Sequence, residues 1–179
     1  GYCYISTGGV LQNQGTINWY NGYIYWQGTN PSINNSGVFN IDNAGYGIYY
    51  STAYGSFTNS GTINKLNAYT VYMQYMTPFT NDGNVNINGG TLQFAYTTFN
   101  NNANINLNTG TFDNSTGSVF HHTNTSAITG TGTFANGATL NIPANLTFVS
   151  GVTFNNTGTV DGTGNLLTNG PFNWSAGII

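Results

Sequence analysis

The chain has 179 residues, ample for one domain, yet charged residues make up 3% of it where roughly a quarter is usual. Lys65 is the only cation and the net charge is −3, so nothing could neutralise a phosphate backbone, which excludes nucleic-acid binding. No apolar run approaches the ~18 residues of a membrane span, while 39% hydrophobic and 15% aromatic content argues against disorder.

No basic-then-apolar leader opens the chain, and Gly1 is expected to be a processed or trimmed end. Cys3 is the single cysteine, so neither a disulfide framework nor a thiolate metal cluster is available, and it reads as a small, partly buried residue. Helical signals are nearly missing, because Gly, Asn and Thr interrupt every window of helical length.

One eight-residue motif recurs seven times, beginning at Leu11, Ile33, Phe57, Phe79, Phe99, Phe134 and Phe154. Its first position is always apolar and its third always Asn: Asn13, Asn35, Asn59, Asn81, Asn101, Asn136 and Asn156. Position five is Gly or Ala, position seven Ile, Phe, Val or Leu, and position eight Asn or, once, Asp161. A second alternating segment follows each copy, in order Tyr23–Trp26, Gly47–Tyr50, Thr70–Met73, Thr91–Phe94, Thr111–Phe112, Leu146–Phe148 and Asn165–Leu167.

A unit of 20–24 residues holding two or three short strands is one coil of a right-handed parallel β-helix, and the chain has room for about eight. Positions one and seven are expected to point inward and stack on their equivalents. The Asn column is expected to hydrogen-bond along the stack as a ladder, each Asn sitting at a bend in the left-handed region. Gly or Ala at position five suits a crowded turn. The first Gly and last Ile have no polar capping helix, so unpaired strand edges are expected at both ends, pointing to a segment of a longer chain or a subunit that stacks end to end.

Start-to-start spacings are 22, 24, 22, 20, 35 and 20, and the value of 35 reads as an insertion near 115–133, a loop or extra half-coil around His121. The domain therefore divides into Tyr-rich coils (1–98) and Asn/Thr/Gly-rich coils (99–179). All 13 Tyr lie between Tyr2 and Tyr96. Trp19, Tyr20, Tyr23, Tyr25, Trp26, Tyr49, Tyr50 and Tyr72 are the candidate binding face, since aromatic rings on a flat sheet can stack on sugars or on a neighbouring protein.

Catalysis finds little support. Glycoside hydrolysis needs two facing carboxyl groups, and the four acids, Asp42, Asp82, Asp113 and Asp161, are scattered along the chain. His121 and His122 are adjacent, so in an extended strand they point to opposite sides, and no third metal ligand lies near. The sequence implies no cofactor and no metal.

The segments Gly130–Asn141, Phe154–Asp161 and Phe172–Ile178 resemble repeats of the β-helical stalks of large bacterial surface adhesins, the filamentous-haemagglutinin-like and autotransporter kinds, and more closely the giant repeat adhesins exported by the type IX route. The resemblance covers the C-terminal two fifths well and the Tyr-rich half only through the motif frame. It implies a secreted, cell-surface, non-catalytic structural or adhesive segment, with surface polysaccharide or a host or abiotic surface as partner. Two alternatives remain: a self-assembling filament subunit, and a carbohydrate-binding β-helix of the tailspike kind.

Overall fold

The computed structural model describes all residues, Gly1–Ile179, as an all-β solenoid of 25 short strands without a helix. Three parallel sheets run the length of the molecule: sheet I with nine strands, sheets II and III with eight each. The chain visits I, II and III in turn, completes eight coils, and ends on a ninth strand of sheet I at Phe172–Trp174. At one coil per ~4.8 Å the stack is roughly 40 Å long.

Strict register turns sequence period into physical columns. On sheet II, Leu11 pairs with Ile33, Ile33 with Phe57, Phe57 with Phe79 and Phe79 with Phe99. Position seven forms the matching column on sheet III, Ile17 beside Phe39, then Ile63, Val85 and Ile105. All but the first-coil members of these columns are buried, because alternation sends every second side chain inward.

The core is a single cluster of 32 buried residues. Phenylalanines organise its middle. Phe57, Phe79, Phe99 and Phe120 stack face to face along sheet II at 4.9, 4.5 and 5.0 Å. Phe94, Phe112 and Phe134 do the same along sheet I at 4.9 and 5.0 Å. The two columns meet edge to face, Phe94 against Phe99 at 82° and Phe112 against Phe120 at 84°. Offset stacks within a column and perpendicular contacts between columns both suit the ring quadrupole.

The spacing of 35 has a different cause from the insertion expected at 115–133. Within that stretch Val119–His122 pairs in register with Thr98–Asn101, and Ala127–Gly130 pairs with Asn104–Leu107, so it is an ordinary part of the stack. What changes is the corner that the motif occupies. Its first five copies turn from sheet II to sheet III, whereas Phe134 and Phe154 lie on sheet I and turn into sheet II. Phe99 to Phe134 is therefore a step of five strands rather than three.

The asparagines accordingly form two columns. Asn13, Asn35, Asn59 and Asn81 each donate Nδ2 to the Oδ1 of the next member, at 2.6, 2.7, 2.8 and 2.9 Å, ending at Asn101. The second column starts at Asn114, which donates to Asn136 at 2.7 Å, and Asn136 donates to Asn156 at 2.7 Å. The other amide hydrogen reaches across the corner to a backbone carbonyl of the next coil, as from Asn13 to Val38 and from Asn114 to Thr139, both at 2.8 Å. A ladder Asn thus satisfies two coils at once.

These bends do not use the left-handed region expected of them. The non-glycine residues with positive φ are Asn30, Tyr75 and Tyr96. The ladder Asn is selected for its inward amide, and position-five Gly for space: a Cβ on Gly37, Gly61 or Gly83 would stand 2.1 Å from the carbonyl oxygen of the glycine one coil before. Position eight adds an outer ladder on sheet III that runs the other way, Asn40 donating to Asn18, Asn64 to Asn40 and Asn86 to Asn64.

A tyrosine face as candidate functional site

The outer face of sheet I in the first four coils is where the tyrosines gather. Alternation places Tyr2 and Tyr4, then Tyr23 and Tyr25, then Tyr49, then Tyr72 on the outside of successive strands. Ring centroids are 5.9 Å apart for Tyr2–Tyr23, 5.4 Å for Tyr4–Tyr25, 6.2 Å for Tyr25–Tyr49 and 6.2 Å for Tyr49–Tyr72. Tyr46 closes edge-on against Tyr23 at 4.9 Å. Register puts Gly47 between Tyr23 and Tyr72 in one column; a Cβ there would meet the Tyr49 ring at 2.8 Å.

A second group occupies the corner between sheets I and II. Tyr75 stacks on Tyr96 at 5.0 Å and 7°, and meets Tyr50 at 5.5 Å and Tyr54 at 5.7 Å. The positive φ of Tyr75 and Tyr96 turns both rings out at equivalent points of adjacent coils. Between the two groups lies an open groove of about 420 Å³ lined by Tyr23, Tyr25, Tyr49, Tyr50, Gln74 and Tyr75.

Two members of the expected face belong elsewhere. Trp26 is wholly buried, its Nε1–H donating to the Gln74 carbonyl at 3.2 Å, and Gly55 makes room for its indole. Trp19 is also buried, donating Nε1–H to the Gly22 carbonyl at 2.8 Å and packing edge-on against Phe39. Both fall on the inward phase of their strands, beside Ile24 and Ile17. Tyr20 is exposed at the turn after Trp19, away from the groove. Sequence reading missed Tyr2, Tyr4, Tyr46, Tyr54, Tyr96 and Gln74; the stacked pairs 21 residues apart, Tyr2 with Tyr23 and Tyr75 with Tyr96, are the signal that could have found several of them.

The face carries no charge at ordinary pH. Burial, then the neighbouring Tyr72, Tyr23 and Tyr25, push the Tyr49 hydroxyl up to about 12. Burial and the nearby Tyr2, Tyr4 and Tyr23 raise Tyr25 in the same way. Beyond Tyr72 the column continues as Gln93 and Asp113, joined by a 2.6 Å hydrogen bond from Gln93, so the tyrosine column of sheet I stops after the fourth coil.

The remaining candidates are dispersed. Asp42, Asp82, Asp113 and Asp161 belong to the second, fourth, sixth and eighth coils, roughly 10 Å apart along the axis. Asp82 accepts a bond from Asn102 at 2.7 Å, and Asp161 caps its own turn at the Gly162 N–H. His121 faces out, its Nδ1 3.1 Å from Asn141 Oδ1, whereas His122 is buried. Cys3 is exposed rather than partly buried, although it pairs with Ile24 and shares the inward phase of its strand with Ile5.

Comparison with known proteins gave no match, whether to a family model, a curated protein or a solved structure.

Proposed function

We propose that this chain is a non-catalytic, extracellular structural segment, a rigid rod in a bacterial surface protein or fibre. The observation that carries the reading is the continuity of axial bonding. Each coil is tied to the next through all three sheets, and inside them by asparagine columns that span every coil-to-coil step from Asn13 to Asn101 and from Asn114 to Asn156. Repetition lengthens such a stack without a new fold. The surface is solvated by amides, hydroxyls and tyrosine in place of charge, so its hydration depends little on salt. The likeness of the later coils to adhesin repeats supports the same assignment.

The test is immunogold labelling of intact cells that make the protein, with an antibody against the folded chain. Gold held at the cell surface or on fibres supports the reading. Labelling only after the envelope is opened overturns it.

A further inference from the structure

We propose that the groove between Tyr23, Tyr25, Tyr49, Tyr50, Gln74 and Tyr75 is a binding site for an uncharged, extended polysaccharide lying along the rod axis. The site offers rings, phenolic hydroxyls and one primary amide, with no ionised group to select a charged ligand. Its backbone N–H and C=O groups are consumed by the parallel sheet, as in the pairing of Tyr25 with Tyr49, so an incoming peptide strand would find no free edge. The ligand must therefore present C–H surface to the rings and hydroxyls to the phenols and the Gln74 amide. A pyranose chain does both.

Dimensions agree. About 420 Å³ falls in the range of small-ligand sites and holds one or two sugar rings. Along the axis the coils recur every ~4.8 Å, with the Tyr25 and Tyr49 centroids 6.2 Å apart within the groove, so that about one sugar of an extended chain faces each coil. Gly47 belongs to this geometry, because a side chain there would push apart Tyr49 and Tyr72.

Affinity electrophoresis through gels containing soluble neutral glucans, xylans and mannans, with alginate and polygalacturonate as charged controls, tests the proposal. The intact chain should be retarded by at least one neutral polymer and by neither charged one. Tyr25→Ala with Tyr49→Ala should weaken that retardation about tenfold or more, since each lost stacking contact is worth ~1 kcal/mol. Gln74→Ala should weaken it less, and Tyr69→Ala, an exposed tyrosine outside the groove, should leave it unchanged. Unaltered far-ultraviolet dichroism separates loss of binding from loss of fold. Retardation by no neutral polymer, or equal retardation of the double variant, overturns the site and leaves the structural role standing.

Discussion

Asn101 donates Nδ2 to Nδ1 of His122 across 3.3 Å, and with that bond the first asparagine column ends. His122 occupies the next ladder position, paired with Asn101 in register and fully buried. To accept from Asn101 its Nδ1 must be unprotonated, which leaves the hydrogen on Nε2; that atom completes no hydrogen bond of good geometry, and the Ser126 backbone near the ring opposes only part of the effect of burial. One strand earlier the second column opens at Asn114, whose Oδ1 also lacks a partner because Phe94, not an asparagine, precedes it. The hand-over between columns thus concentrates two unsatisfied buried polar atoms in one coil.

The hand-over should make the fold sensitive to mild acid. Burial lowers the His122 pKa from its ordinary 6.5, so the folded chain keeps the neutral ring while the unfolded chain takes up a proton. Above 6.5 both states are neutral and the contribution is complete; as pH falls from there towards the depressed folded value it is lost. A melting temperature that declines from pH 7 to 5.5, with a flatter profile in His122→Asn, is the expected result. Equal slopes in the two proteins would rule out His122 as the cause.

Ladder position should set the cost of losing an asparagine. Asn59 accepts from Asn35 at 2.7 Å and donates to Asn81 at 2.8 Å and to the Asn84 carbonyl at 3.2 Å. Asn59→Ala strands groups on both neighbouring coils and should cost about 3 kcal/mol or more. Asn156 ends its column, accepting from Asn136 and donating only to the nearby Gly158 carbonyl. Asn156→Ala should cost about a third as much. Urea denaturation of the two variants measures the ratio, and equal costs would mean that the column contributes no more than isolated bonds.

The glycine column offers a sharper contrast, because one substitution meets two environments. A Cβ on Gly61 would lie 2.1 Å from the Gly37 carbonyl oxygen, whereas one on Gly137, inside the stack, meets only ordinary contacts at 3.6 and 3.8 Å. Gly61→Ala must push two coils apart and should cost about 3 kcal/mol or more. Gly137→Ala should be neutral or slightly stabilising, by restricting the unfolded chain. Thermal melts of both decide it.

What could be read from the sequence follows from what a period encodes. Strand alternation and the columns at positions one and seven are local, so Phe57, Phe79 and Ile63 could be assigned to the core directly. The corner at which an Asn bend sits is not local. Asn114 serves the ladder as Asn136 does, but Phe112-Asp113-Asn114 is followed by Ser115-Thr116 instead of a small residue at position five, which hid the copy. The tyrosine face was half legible: Tyr23, Tyr25, Tyr49 and Tyr72 share the outward phase, while composition groups Trp19 and Trp26 with them against their own alternation. Tyr75 and Tyr96 enter the corner group through positive φ, a conformation for which a bulky residue gives no local signal.

Lys65, the sole cation, should place the stability maximum in alkali. It sits in an inward column between Ile41 and Ile87, wholly buried, with Nζ donating to the Asn67 carbonyl, to Asn67 Oδ1 at 2.7 Å and to the Gly89 carbonyl at 3.3 Å. Burial pulls its pKa from 10.5 down to about 8, against a smaller opposing pull from Asp42. Between 8 and 10.5 the unfolded chain holds a proton that the folded chain has released, so stability rises with pH across that window. Tyr49 acts with the opposite sign higher up: its hydroxyl shifts from 10.0 to about 12, so above 10 the unfolded chain ionises first and stability falls. The two windows meet near pH 10. Urea midpoints taken from pH 7 to 12 should therefore climb from 8 to about 10 and then drop. Lys65→Met should abolish the climb and keep the drop, and Tyr49→Phe should weaken the drop and keep the climb. A wild-type midpoint that stays level between pH 8 and 10 would mean that the buried amine keeps its proton as readily as in the unfolded chain.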